Sequence, residues 1–161
     1  MSSPREGRIM KQGLVAVAAW AICVVSLSAQ ESKQRVLSTA VWIDAPQGFS
    51  PSRSFSGFQS PDGASILVGS LDAGYEEVAD GMTESGLRQR GIVLHSRQSL
   101  ERPDGAAVCL RVSQSANGIQ YHKWIGIFGD DESTVMVTAT WPADRGDDYE
   151  ELLLECIRTA D

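Results

Sequence analysis

Apolar and polar positions alternate over four consecutive segments in the second half of the chain. Turn-forming residues separate these segments, among them Asp104-Gly105 and Asn117-Gly118. The connections are short enough for hairpins, so neighbouring segments should pair antiparallel. We therefore predict a four-stranded meander, whose strands are residues 92–101, 106–114, 119–128 and 133–141. Both faces of the strand 119–128 carry large apolar groups, which indicates that both sides of the sheet are covered.

The region before the meander predicts two further strands and a helix. Residues 39–44 and 64–71 are rich in apolar and β-branched side chains and are typical of strands. Residues 49–60 fit either a loop or an irregular edge strand. Between residues 72 and 91 the apolar positions follow the helical period, with Asp72 as the predicted cap and Gly91 as the stop. The positions that define this helical face are Tyr75, Val78, Ala79 and Met82.

The C-terminal segment predicts a second helix. Asp147 and Glu150 have the spacing of a capping box, and Asp148 adds negative charge where the helix dipole favours it. An apolar stripe follows at helical spacing, which predicts that this helix lies on the sheet. The stripe consists of Tyr149, Leu152, Leu153, Cys156 and Ile157.

The first 29 residues have the three-part pattern of a secretory signal peptide. Three basic residues precede an apolar run over residues 14–27, and the small residues Ser28 and Ala29 follow. The apolar run is shorter than the 20 or so residues of a typical membrane-spanning helix, which favours cleavage over an uncleaved anchor. We therefore expect a signal peptide at 1–29, a flexible leader at 30–38 and one domain at 39–161. Export would place that domain in the periplasm or outside the cell.

Charge narrows the classes of partner. Cleavage after residue 29 removes three bases and one acid, which changes the formal net charge from −7 to −9. A negative chain is disfavoured for nucleic acid and for anionic membrane surfaces. We expect no nucleic-acid partner and no stable membrane insertion after cleavage of the signal.

Motifs of catalysis, metal binding and cofactor binding are missing from the sequence. It contains no Gly-x-Ser-x-Gly, Ser-x-x-Lys, His-x-His, His-Glu-x-x-His or Cys-x-x-Cys pattern and no phosphate-binding glycine loop. The acidic run Asp130, Asp131 and Glu132 lacks calcium-loop spacing and fits a solvated turn. We assign no catalytic residue, no metal ligand and no cofactor. The alternative is a small hydrolase-like enzyme whose site is assembled from scattered residues such as His122, Asp130 and a serine.

Two groups of residues remain as candidates for a bond or a binding site. Cleavage removes Cys23 and leaves Cys109 and Cys156, an even pair in a compartment that permits disulfides. These two cysteines either form a disulfide, if the last helix covers the face of the strand that carries Cys109, or act as small core residues. The tryptophans either belong to the core or line a binding groove. They are Trp42, Trp124 and Trp141.

Five segments together resemble the PsbP-like superfamily over about residues 39–160. They are VWIDAPQGF, FSGFQSPDGASILVGSL, LRQRGI, YHKWIGIFGDDESTVMVTATWP and LLLECIRTA. The resemblance implies an α+β fold, a three-layer α/β/α sandwich with a mainly antiparallel sheet flanked by helices. It carries no catalytic signature, and fold alone does not give function. With the missing motifs, it leads us to expect an exported, non-catalytic accessory or binding module whose partner is an unknown protein or envelope component.

Overall fold

The computed structural model of the protein describes residues 33–102 and 105–161. The predicted signal peptide at 1–29 lies outside the described residues. Part of the predicted leader lies inside them, because Gln34–Arg35 forms a short strand, β1, and Val36 is buried in the core. Residues 34–38 therefore form part of the folded unit.

One seven-stranded antiparallel sheet forms the centre of the protein. Its strand order is β3-β4-β5-β9-β8-β7-β6, and β1 pairs with β2 in a separate two-stranded sheet. The bounds of the strands from β2 to β5 are Trp42–Ile43, Ser50–Pro51, Gly57–Gln59 and Ser65–Leu71. Those of the strands from β6 to β9 are Ile92–Arg102, Gly105–Ala116, Ile119–Gly129 and Thr134–Pro142. The last four strands confirm the predicted meander. Residues 49–60, for which a loop and an irregular edge strand were the two alternatives, contain the short strands β3 and β4 at the edge of the sheet.

A two-residue turn sets the register in the middle of the meander. Asn117 and Gly118 both have positive φ angles, 52° and 78°, as the commonest tight hairpin turns require. The turn pairs Ala116 with Ile119 and, farther along, Ser113 with His122. On the other side of β7, β6 has a register shift between Leu94 and Ser96, so His95 lies at a bulge.

The segment predicted as one helix forms two. Helix α1 spans Tyr75–Gly81 and helix α2 spans Glu84–Gln89. The break occurs because the Thr83 hydroxyl accepts a hydrogen bond from the backbone N–H of Gly86 at 3.1 Å, which caps a new helix. Asp72 is not the cap of α1, since Gly74 occupies that position. The segment ends at Gly91, whose φ angle of 73° agrees with the predicted stop.

The last helix, α3, lies on the opposite face of the sheet. It spans Glu150–Thr159, and a 3₁₀ segment, Ala143–Asp148, precedes it. The predicted capping box is displaced, because Tyr149 occupies the N-cap position and makes no side-chain capping bond. Leu152 was predicted to pack on the sheet but is 43% exposed, and Leu154 is buried instead. The buried side chains of α3 are Leu153, Leu154, Cys156 and Ile157.

Two apolar cores result, one on each face of the sheet. The α1 and α2 side packs around Leu110, Val112 and Ile127. The α3 side packs around Trp141, Val137 and the buried face of α3, together with the buried hairpin residues Val36, Val41 and Ile43. The arrangement confirms the predicted α+β fold with a mainly antiparallel sheet and helices on both faces. Among the described residues, no helix has both the length and the apolar character needed to cross a membrane.

Candidate functional site

A surface at the β1–β2 hairpin combines exposed apolar side chains with a groove. We call it the hairpin surface and define it by Arg35, Leu37 and Trp42. Leu37 is 65% exposed and Trp42 is 45% exposed. Arg35 lies directly opposite Trp42 across the hairpin, so the two side chains share its outer face. A groove of about 520 Å³ lies beside Arg35 and Leu37 and is lined by residues 35–40 and Ser70.

Hydrogen bonds hold the loop of this hairpin in one conformation. The N–H of Val36 donates to the carbonyl of Val41 at 2.9 Å, and the Arg35 Nε donates to the carbonyl of Thr39 at 3.0 Å. The Thr39 hydroxyl donates to the carbonyl of Val36 at 3.0 Å. Ser38 has a φ angle of 65°, in the left-handed region that residues other than glycine rarely adopt. Local strain of this kind concentrates at functional sites.

A second cluster of polar side chains lies on the α3 side of the sheet. We call it the histidine cluster and define it by His95, Arg111, Ser113, His122 and Glu150. Ser113 is buried, and its Oγ lies 2.8 Å from the Nε2 of His95. His122 is the cross-strand neighbour of Ser113. Three adjacent strands thus contribute to the cluster: β6 carries His95, β7 carries Arg111 and Ser113, and β8 carries His122.

Arg111 joins the histidine cluster to the first turn of α3. Its Nε donates to the Oε1 of Glu150 at 2.8 Å, and a second guanidinium nitrogen donates to Oε2 at 3.3 Å. The guanidinium carbon also lies 4.8 Å from the centre of the Trp141 ring and 5.5 Å from that of Trp124. The hydrogen bond from Arg111 lowers the pKa of the Glu150 carboxyl. Glu150 therefore acts as the ionised partner of Arg111.

The three candidate tryptophans do not line one groove. Trp124 and Trp141 are buried in the α3-side core, and only Trp42 lies on the surface. The indole N–H of Trp124 donates to the backbone carbonyl of Glu150 at 2.9 Å, so this ring fastens α3 to the sheet. Burial of these two rings follows from α3 covering their face of the sheet, which the sequence did not specify.

The residues of the alternative hydrolase-like site are also separated. His122 lies near the start of β8, and Asp130 follows its other end. The Asp130 carboxylate accepts backbone hydrogen bonds from Glu132 at 2.9 Å and Ser133 at 2.8 Å, so it closes the turn. The structure places Ser113 beside His95 instead. No local sequence pattern marks His95, Arg111, Ser113 and Glu150 as a group.

Both cysteines lie in the α3-side core. Burial raises the pKa of Cys109 to about 12. The Cys156 thiol donates to the backbone carbonyl of Asp44 at 3.2 Å. The last helix covers the face of β7 that carries Cys109, which is the condition set for a disulfide. The bridge between these residues stays a prediction.

These features define an α+β protein whose fold resembles that of PsbP. The described structure resembles the crystal structure of PA94, a protein of unknown function from Pseudomonas aeruginosa, with a TM-score of 0.53 and 17% identity over 80% of this chain and 94% of that one. It also resembles the solution structure of the cyanobacterial PsbP (CyanoP) of Synechocystis, with a TM-score of 0.51 and 11% identity over 75% of this chain and 85% of that one. No protein-family profile matches the sequence. No curated protein matches it either.

Proposed function

We propose that the protein is an exported, non-catalytic binding module that binds a partner protein through the hairpin surface. The observation that carries this proposal is the exposure of Leu37 and Trp42 on one structured hairpin beside a groove. Large apolar side chains exposed together at a groove are typical of interaction sites. Tryptophan and arginine are also the residues that most often dominate binding energy at interfaces.

Preorganisation supports the same proposal. The hydrogen bonds of the loop and the left-handed conformation of Ser38 fix the loop before any partner arrives. A fixed loop loses less conformational entropy on binding than a loose one. A suitable partner segment offers an apolar side chain to Leu37 and Trp42 and a carboxylate to Arg35. The proposed partner is a protein rather than a nucleic acid, because this chain is strongly acidic.

The test is capture of partners from the native cell envelope by the mature domain, followed by reconstitution with the purified candidate. We expect Leu37→Ser combined with Trp42→Ser to abolish both capture and reconstituted binding. Val93→Ser is the matched control, because Val93 is an exposed apolar residue of β6, away from the hairpin. Equal binding by the double variant and the control would overturn the proposal.

The hydrolase-like alternative has its own test. The 2.8 Å contact of Ser113 with His95 is the observation that favours it. Against it, Glu150 is engaged with Arg111, and no described carboxylate is hydrogen-bonded to either histidine. A fluorophosphonate reagent labels an activated serine covalently. Labelling that disappears in Ser113→Ala would support the enzyme and contradict a non-catalytic role.

A further inference from the structure

The histidine cluster contains more nitrogen atoms that can donate a hydrogen bond than oxygen atoms that can accept one. Glu150 supplies the carboxylate, and Arg111 binds both of its oxygens. His95 is exposed and His122 is half-buried, so they form an outer rim. Arg111 and the Trp141 ring lie beneath, with the Trp141 ring centre 5.9 Å from that of His122. His95 at the rim is therefore accessible to solvent, and the base of the cluster contains the nitrogens of Arg111 and Trp141.

Two neighbouring rings of this cluster have buried nitrogens without a partner. The Nδ1 of His122 and the Nε1 of Trp141 are buried and make no hydrogen bond within the described part of the chain. Trp141 itself is completely buried. A buried polar atom without a partner costs free energy, and such atoms often mark a site occupied by water, an ion or a ligand.

The charges around His122 indicate which ligand would bind. The groups that face it are Arg111 on β7, Glu150 on α3 and His95 on β6. Burial and then Arg111 lower the pKa of His122, so the protein alone disfavours its protonated form. A bound anion would offset both effects, because it supplies negative charge and accepts hydrogen bonds from N–H groups.

We propose that the rim formed by His95 and His122 above Arg111 binds the oxyanion group of a ligand, a carboxylate or a phosphate or sulfate ester. The oxyanion enters from the solvent side and accepts hydrogen bonds from ring N–H groups of His95 and His122. A dry polar cluster or a bridging water is the competing interpretation. This site is separate from the hairpin surface, so its failure would leave the proposed function untouched.

The test is an NMR titration of the histidine ring resonances with sodium sulfate, at constant ionic strength balanced by sodium chloride. Sulfate does not change its own protonation near neutral pH, so any pH dependence belongs to the protein. We expect saturable shifts of His95 and His122. Where binding takes up one proton at His122, affinity should fall about tenfold per pH unit above the pKa of that ring. Sodium acetate in place of sulfate distinguishes a carboxylate preference from a preference for tetrahedral anions.

Two variants keep the result interpretable. His122→Asn and His95→Asn should each weaken sulfate binding, and His95 is exposed, so its variant leaves the core intact. The indole N–H signal of Trp42 should stay constant, because Trp42 belongs to the separate two-stranded sheet. Absence of saturable shifts with both anions would overturn the proposal. Sulfate shifts that persist unchanged in His122→Asn would also overturn it. A Trp141 indole N–H signal that exchanges with water and does not shift with either anion would do the same.

Discussion

Gly126 of β8 lies directly beneath Ile157 of α3, with no space for a side chain between them. A Cβ atom on Gly126 would lie 2.2 Å from the Cγ2 of Ile157, well inside van der Waals contact. Cys109, the cross-strand neighbour of Gly126, belongs to the same buried core. The absence of a side chain at position 126 thus sets how closely the last helix approaches the sheet.

The first prediction follows from this contact. Gly126→Ala should lower the free energy of unfolding by about 1–3 kcal/mol, the usual cost of overpacking a core. Gly69→Ala is the control, since a Cβ there meets nothing within 4 Å and the residue also lies within a strand. Urea unfolding monitored by tryptophan fluorescence measures both variants. Equal effects would mean that α3 does not pack on Gly126.

The second prediction concerns adjacent leucines on α3. Leu153 is fully buried, so Leu153→Ala should lower the free energy of unfolding by about 2–5 kcal/mol. Leu152 points away from the core, so Leu152→Ala should change it by less than about 0.5 kcal/mol. The same unfolding experiment compares them. A larger loss in Leu152→Ala than in Leu153→Ala would contradict the orientation of the helix.

Much of this fold could be predicted because local signals agree with the final packing. The turn at Asn117-Gly118 fixes the pairing of β7 with β8, and the alternation along these strands then places Ser113 and Arg111 on one face. That register would also have brought His122 next to Ser113. The helical period of the C-terminal segment identified α3, but a narrow stripe did not distinguish Leu152 from Leu154 as the inward residue.

The rest depended on contacts between distant parts of the chain. The bulge at His95 shifts the register of β6 by one residue, and no local sequence pattern indicates this bulge. Both faces of β8 are apolar, so the sequence did not show which face α3 would cover. Of the hairpin surface, only Trp42 was among the candidate residues. Residues 34–38 have few apolar side chains, and Val36 becomes part of the core only when β1 pairs with β2.

The third prediction concerns thiol reactivity. Burial raises the pKa of Cys109 to about 12, so its reactive thiolate is scarce near pH 8. Iodoacetamide should therefore modify Cys109 far more slowly in the folded protein than in denaturant, as peptide mass spectrometry can measure. Fast modification of the folded protein would contradict the buried position. The same assay tests the disulfide with Cys156, because a bridged protein yields no thiol in denaturant until a reductant is added.

The last prediction concerns pH and His122. Its pKa in the folded protein lies below the ordinary value of 6.5, mainly because burial disfavours the charged ring and secondarily because Arg111 repels it. The unfolded chain then binds more protons than the folded one in this range, so the free energy of unfolding must fall as pH falls. His122 thus stabilises the fold fully above about pH 6.5, and this contribution is lost as pH decreases from 6.5 through the folded pKa.

His122→Asn separates this effect from the other titrating groups. The variant should have a flatter dependence of unfolding free energy on pH just below 6.5, because asparagine does not titrate. It should keep the decline at lower pH that arises from Glu150, whose pKa is lowered from 4.5 by its hydrogen bond with Arg111 and whose contribution disappears only as that carboxylate is protonated. Urea unfolding of both proteins across this range gives the two slopes. Identical slopes, or a wild-type protein that gains stability on acidification below pH 6.5, would show that His122 is not held in its neutral form by burial and Arg111.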